Sequence, residues 1–389
     1  MINKISKRSI NTPPSFIRGI LKVAQSEDII SFAGGLPNPI SFPQEALNES
    51  MNRIVVNYGS KVFQYSTTAG LDLLREYIAC MCVNKYKIDI CADDIIITTG
   101  SQQALDLIGK VLINEGDNII IEEPGYLGAI QAFSQYGPQF RGITLLDDGL
   151  DLNQFEDALR KYDVKFAYIV PNYQNPTGLT YSREKRQNLF ELAKQYHCIL
   201  VEDDPYGELS FDGSINGYVS SDDLSESILL GTFSKIITPG MRVGYMIIKN
   251  NELRKYINTA KEAADLHSNI FAQYCMWDYL THNNLQEHIQ NIRTLYNTQC
   301  NTMLGAMDKY FPNTVKYTKP NGGMFIWVTL LNNKRALDVF NSAITEKVAF
   351  VPGDPFYVDG RIANTMRLNY TNATSDMIEE GIKRIAKIL

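Results

Sequence analysis

Histidine is scarce in this sequence, tryptophan scarcer, and the cysteines carry no pattern. The four histidines (His197, His267, His282, His288) form no His-Glu-x-x-His pair, which removes the commonest warrant for a catalytic metal. The six cysteines (Cys80, Cys82, Cys91, Cys198, Cys275, Cys300) contain no Cys-x-x-Cys pair. At this length they make no secreted disulfide framework, so thiols in a reducing cytoplasm are expected. There is no Gly-x-Gly-x-x-Gly and no Walker-type Gly-Lys-Ser/Thr loop. The usual sequence signs of nicotinamide or nucleotide binding are therefore missing. The net charge is −6, whereas a nucleic-acid surface needs a basic footprint. No stretch approaches the roughly 20 apolar residues of a membrane helix. Lys4, Lys7 and Arg8 have no apolar run behind them, so no signal peptide is expected.

What is present is an ordinary globular composition, 44% hydrophobic and 21% charged, over 389 residues. That length suggests about two to three domains. From residue 95 onward, short β-branched runs alternate with helix-length segments. The runs are Ile95–Thr98, Ile119–Ile121, Phe166–Val170, Ile199–Val201, Ile228–Leu230 and Val243–Ile248. Continuous apolar strands separated by helices predict a mainly parallel sheet buried on both faces. Helices dominate to about residue 310. A second α/β unit follows, with strands at Met324–Val328, Val348–Val351 and Met366–Leu368, and a last helix striped by Ile378, Ile382, Ile385 and Leu389. Near the N-terminus, Ser15 caps a short predicted helix with Ile17, Ile20, Leu21 and Ala24 on one stripe and Arg18 off it. Ser31-Phe32-Ala33-Gly34-Gly35-Leu36-Pro37 is too rich in glycine and proline for a regular element. Its glycines let backbone approach a ligand closely.

In a parallel sheet, ligands lie beyond the C-terminal ends of the strands. The most informative strand end is Gly231-Thr232-Phe233-Ser234-Lys235, running on to Arg242. A lysine desolvated at the end of a buried strand becomes a nucleophile toward carbonyls. Two hydroxyls and an arginine beside it are phosphate ligands by chemistry. A carbonyl compound bearing a phosphate and bound to lysine as a Schiff base describes pyridoxal 5′-phosphate. The competing reading of Lys235 is a solvated lysine after a strand.

The other strand ends bear on that choice. Gly100-Ser101-Gln102 opens a helix whose N-terminus suits phosphate, although Ser is also an ordinary cap. Tyr126, after Glu122-Glu123-Pro124-Gly125, could cover a flat ring, or simply be one packed tyrosine among 22. Asn175, in Asn-Pro-Thr-Gly, sits on a turn above the sheet. Asp203, in Glu202-Asp203-Asp204-Pro205-Tyr206, would be a costly carboxylate at a strand mouth unless paired. Paired with a pyridine nitrogen, it would keep the ring an electron sink, with Tyr206 and Asn175 placed for the ring's phenolic oxygen. The competing reading is that Asp203 and Asp204 cap the next helix.

Together these motifs resemble the fold-type I pyridoxal-phosphate enzymes of the class I/II aminotransferases, and more narrowly the 2-aminoadipate and kynurenine/2-aminoadipate branch. The resemblance runs from Ser15-Phe16-Ile17-Arg18 to Asn364-Thr365-Met366-Arg367-Leu368. It implies a large domain with a mainly parallel seven-stranded sheet (46–285), a small C-terminal α/β domain (286–389), and an N-terminal arm contributing to the small one (1–45). It implies an amino-group transfer between an L-amino acid (2-aminoadipate, glutamate, aromatic or branched-chain) and a 2-oxo acid, by a ping-pong mechanism. A β-lyase or decarboxylase, or a non-catalytic cofactor-binding sensor, are the alternatives on the same fold.

The implied roles are these. Lys235 holds the cofactor and shuttles the proton. Asp203 pairs with the ring nitrogen, Asn175 and Tyr206 hold the phenolic oxygen, and Tyr126 stacks. Ser101, Gln102, Ser234 and Arg242 bind phosphate, and Tyr65 reaches the cofactor of a second subunit in a homodimer. Arg367 takes the substrate α-carboxylate, with Gly35 and Asn175 beside the substrate, and Arg18 meets a distal carboxylate. Gly125 departs from the family pattern, where Ser or Thr often precedes the stacking Tyr, and this would loosen the loop. The family's transcription-regulator cousins add an N-terminal winged helix, which is not expected here.

Overall fold

A computed structural model describes residues 4–12, 19–20, 28–331 and 334–389. The predicted helix around Ser15, Ile17, Arg18 and Leu21 falls outside the described residues. In chain order the strands are β1 Ile30–Ser31, β2 Ile95–Thr98, β3 Asn118–Glu123, β4 Gln139–Leu146, β5 Gly149–Leu150, β6 Val164–Ile169 and β7 Ile199–Asp203. They continue with β8 Ser227–Thr232, β9 Gly244–Ile247, β10 Val315–Tyr317, β11 Phe325–Leu330, β12 Val348–Ala349, β13 Val351–Pro352 and β14 Thr365–Asn369.

The large sheet has the order β2-β9-β8-β7-β6-β3-β4-β5. Seven of its strands have four residues or more, and β5 adds a two-residue edge. Pairs β8-β7, β7-β6, β6-β3 and β3-β4 are parallel, and β9 runs antiparallel to both its neighbours. The isoleucine runs of β2 and β3 are buried on both sides, which is why they read as continuous apolar segments. Strand β4 was not evident from the sequence. It lies near the edge with largely exposed or half-exposed residues, so its pattern is mixed rather than apolar.

Side chains alternate between two cores. Ile119, Ile121, Phe166, Tyr168 and Val201 join one buried cluster, whereas Ile120, Ala167, Ile169 and Leu200 join another. The period-2 pleat therefore sends Asp203 to the first face and Glu202 to the second. From β3 the chain moves to β4 on one side, then returns to β6 on the other. That reversal opens a crevice between the loops leaving β3 and β6, where parallel sheets bind ligands.

A smaller antiparallel sheet, β10-β11-β14-β13, packs with helices Leu285–Tyr310, Ala336–Thr345 and Ser375–Ala386. Strand β1 pairs in parallel with β12, so the N-terminal segment is carried by C-terminal structure. Past β1, the Ala33 carbonyl accepts from Arg367, the Leu36 carbonyl from Thr371, and the Asn38 N–H donates to Tyr296. Among the described residues no helix is long and apolar enough to cross a membrane.

Candidate active site at the ends of the large sheet

One cavity of about 900 Å³ collects most of the sequence candidates. Its lining includes Gly35, Ser101, Gln102, Tyr126, Asn175, Asp203, Tyr206, Ser234, Lys235, Arg242 and Arg367. They come from the ends of β2, β3, β6, β7 and β8, with Gly35 and Arg367 facing them from the smaller unit.

Lys235 follows β8 on a turn and is partly buried. Its Nζ donates to the Gly35 carbonyl at 3.0 Å. Burial, aided by the nearby positive charges of Arg367 and Arg242, lowers its pKa from the usual lysine range to about 8. About a tenth of it is then neutral at pH 7, far more than for an ordinary lysine, which makes it a competent amine nucleophile.

Asp203 is 1% exposed at the tip of β7. Tyr168 donates to its Oδ2 at 2.8 Å, while Oδ1 is buried with no partner. Burial, partly offset by the Tyr168 bond, raises the Asp203 pKa to about 7. Asp204 points the other way. Its Oδ1 accepts from Gly207 N–H at 2.8 Å and so caps the following turn. The capping role suggested for both aspartates thus belongs to Asp204 alone.

Asn175 donates to the Tyr206 hydroxyl at 3.3 Å and accepts from Arg367 Nη1 at 2.8 Å. Arg367 is 1% exposed in β14. Its guanidinium lies 4.4 Å from the Phe325 ring centroid and 5.5 Å from that of Phe356. Burial lowers its pKa to about 10, so it stays cationic at neutral pH. Its Nε is buried without a partner.

The anion-binding corner forms around helix Ser101–Leu112. Gly100 is its N-cap, with φ +70°, and the helix has no side-chain cap. A Cβ there would lie 2.5 Å from Arg242 Nη2, so glycine lets the arginine close over the turn. The Ser101 hydroxyl is the first helical side chain and has no partner, contrary to an ordinary capping serine. Ser234 accepts at 2.9 Å from Thr232, which also accepts from the Ser234 N–H. Gln102 donates to the Gly128 carbonyl at 2.9 Å, tying this corner to the loop that carries Tyr126. Arg242 donates to the Thr99 carbonyl at 3.2 Å.

Gly125 behaves differently from expectation. A Cβ at this position would lie 2.5 Å from the Glu122 carbonyl, and its N–H is held by the Phe356 carbonyl at 2.8 Å. The glycine permits a tight loop here rather than a loose one. Tyr126 lines the cavity, and burial raises its pKa to about 12.

Tyr65 is absent from this cavity and 78% exposed, beside the His267 ring. Arg18 lies outside the described residues. The sequence reading missed Tyr168, which contacts Asp203, and Gln174, whose amide bridges Glu122 and the Pro124 carbonyl. Tyr168 sits inside an apolar strand, so only the pairing of β6 with β7 reveals it.

The arrangement fits pyridoxal phosphate on its own terms. An open buried carboxylate oxygen, an open buried hydroxyl on a bare helix N-terminus and a pKa-lowered lysine face one cavity. Fold and site together define a fold-type I pyridoxal-phosphate enzyme. Residues 36–385 match the model of the family "Aminotransferase class I and II", and the chain belongs to that family. It is 40% identical to aromatic-amino-acid aminotransferase 1 of Thermococcus litoralis, covering 99% of this chain and 93% of that one. It is 38% identical to the 2-aminoadipate transaminase of Thermus thermophilus, covering 96% and 94%. The crystal structure of Pyrococcus horikoshii kynurenine aminotransferase, complexed with PMP, is 42% identical and superposes with a TM-score of 0.95 over 100% of this chain and 97% of that one. The protein is a pyridoxal-phosphate-dependent aminotransferase.

Proposed function

We propose that this aminotransferase acts on L-amino acids with long apolar or aromatic side chains and on 2-aminoadipate, with glutamate and 2-oxoglutarate as the common pair. The observation that carries the reading is the convergence of Lys235, Asp203 Oδ1 and Arg367 on one cavity, each with bonding capacity left open. Away from these groups the lining is mostly apolar (Leu36, Leu127, Ile130, Phe140, Tyr357 and Val358), with Gln131 and Ser134 among them. Among the described residues the only cations lining the cavity are Lys235, Arg242 and Arg367. The family resemblance implies Arg18, which lies outside the described residues, as the partner of a distal carboxylate such as that of 2-aminoadipate or 2-oxoglutarate.

When bound, the cofactor supplies an electrophilic carbon and an electron-withdrawing ring. The chain's own groups divide the remaining work. Arg367 takes the α-carboxylate, held flat by Phe325 and Phe356 and anchored by Asn175 and the Ala33 carbonyl. Lys235, with its pKa near 8, accepts and returns the proton of the substrate α-carbon. Asp203, whose Oδ1 is open, would hold the ring nitrogen's proton, and Asn175 with Tyr206 would hold the phenolic oxygen. Tyr126 would cover the ring. Ser101, Ser234, Gln102 and Arg242 would form the phosphate cradle.

Residues 46–285 are taken as the large domain, and 286–389 with the 1–45 arm as the small one. A cytoplasmic homodimer is part of the proposal. Its support is the strong exposure of the large apolar side chains Ile40, Val56, Phe63 and Tyr65. Tyr65 would complete the phosphate site of the second subunit.

The test is absorbance of the purified, cofactor-loaded protein. Adding L-phenylalanine or L-2-aminoadipate without a 2-oxo acid should bleach its colour, and 2-oxoglutarate should restore it. A colour that persists with every donor would overturn the assignment of donors.

A further inference from the structure

Tyr168 lies on β6 opposite Val201 of β7, on the face that carries Asp203. It is fully buried, and its hydroxyl makes a 2.8 Å bond to Asp203 Oδ2. Phe133 meets its ring edge-on, with centroids 5.8 Å apart and planes at 75°, which fixes where the hydroxyl points. Phe166, on the same strand, packs against the same Phe133. Phenylalanine would fill the Tyr168 site equally well, so packing does not require the hydroxyl. The bond does. Asp203 lines the cavity, and its Oδ1 remains buried and unpartnered.

We propose that Tyr168 is a positioning residue for Asp203: its phenol saturates Oδ2, fixes the carboxylate plane, and leaves Oδ1 as a weakened base aimed at the cofactor's ring nitrogen. This rests on the pairing of Asp203 with that nitrogen proposed above. A carboxylate that accepts a hydrogen bond holds its own proton less tightly. More of the shared proton then stays on the ring nitrogen, and the ring keeps its pull on electrons. The phenol is suited to the task because burial, with Asp203 and Tyr126 nearby, holds its pKa well above the usual tyrosine value. It therefore remains a donor throughout the working pH range. The neighbouring ionisable groups are the carboxyls of Asp204 and Glu122, the phenols of Tyr126 and Tyr206, and the cavity cations Lys235, Arg242 and Arg367. None of these donates a hydrogen bond to Asp203 in the described structure.

The experiment compares wild type with Tyr168→Phe, both loaded with pyridoxal phosphate. The readouts are the pH midpoint of the visible absorption change, the cofactor dissociation constant from tryptophan fluorescence, and kcat against KM. Loss of the donor should raise the midpoint by about one pH unit, because a ring with less positive charge lets the Lys235 nitrogen keep its proton longer. The cofactor should bind more weakly, and kcat should fall about tenfold with KM little changed. Fluorotyrosine at position 168 is a stronger donor with nearly the same volume, and should move the midpoint the opposite way. It also gives a reading if the phenylalanine variant is poorly folded. A midpoint that is the same in wild type and both variants, or that moves in one direction for both, overturns the proposal. If wild type itself takes no colour with the cofactor, the failure belongs to the functional reading instead.

Discussion

The two faces of strand β7 treat buried acids in opposite ways. Glu202 and Asp204 look away from the cavity and Asp203 looks into it. Glu202 is fully buried, and accepts from Val219 N–H at 2.6 Å, from Ser220 N–H at 2.9 Å and from the Ser220 hydroxyl. Asp204 caps Gly207, and the guanidinium of Arg186 lies near both acids. On β3, beyond β6, Glu122 faces the same side as Glu202 and accepts from Val170 N–H, Gln174 and Tyr181. All of these acids bear the same desolvation, which pushes each carboxyl pKa upward. On the far face it is met by a filled set of donors. On the cavity face Asp203 has one donor and one open oxygen. A buried polar group without a partner is costly, so the unpaired atoms mark where a ligand is meant to complete the bonding.

Four measurements can break or sharpen that contrast. The largest effect is expected for Lys235→Ala, which should lower turnover roughly 10⁴-fold or more. Near-normal turnover would remove the cavity face from the chemistry. Arg367→Lys keeps the charge but loses the planar fork, and should lower kcat/KM about 100-fold for every amino acid tested. A loss confined to one substrate would place Arg367 elsewhere than on the shared α-carboxylate. The pKa of Lys235 sets a smaller, graded effect. Because its folded-state pKa is depressed to about 8, the neutral amine fraction grows as pH rises toward 8 and saturates above it. The rate at which apoprotein captures pyridoxal phosphate should climb about tenfold per unit below that value and then level off. A flat profile from pH 6 to 9 would show that the free amine does not limit capture. The smallest effect on activity is expected for Glu202→Gln. It should cost about 1–3 kcal/mol in urea unfolding, since the amide nitrogen would replace one oxygen and face the N–H of either Val219 or Ser220. Its kcat/KM should barely change. A large kinetic defect with intact stability would blur the two faces into one site.

Much of the site was legible beforehand because it is built from strand ends. Apolar runs end abruptly at Thr98, Glu123, Val170, Asp203 and Thr232, and the polar residues just after them are the ones that converge. Local turn chemistry at Gly100 and at Asn175-Pro176-Thr177-Gly178 strengthened the reading. Three features were not legible. Strand β4 lies near the sheet's edge, so its alternation is diluted by exposed positions. Gly125 looked permissive, whereas the carbonyl of Glu122 makes it a steric requirement. Tyr168 looked like one more apolar strand residue until pairing set it beside Asp203.

The sequence by itself determined which residues end the parallel strands, and hence which of their side chains border the crevice, because the apolar runs of those strands give way to polar groups at their tips. It also determined the alternation that separates Asp203 from Glu202 and Asp204, since the pleat has a period of two. Only the tertiary structure decided which buried polar atoms are satisfied. That depends on partners far apart in the chain: Tyr168 to Asp203, Arg367 to Asn175 and to Ala33, and Lys235 to Gly35. A hydrogen bond needs its two atoms within about 3 Å and in line. No local pattern encodes that distance between residues brought together from different strands and from two sheets.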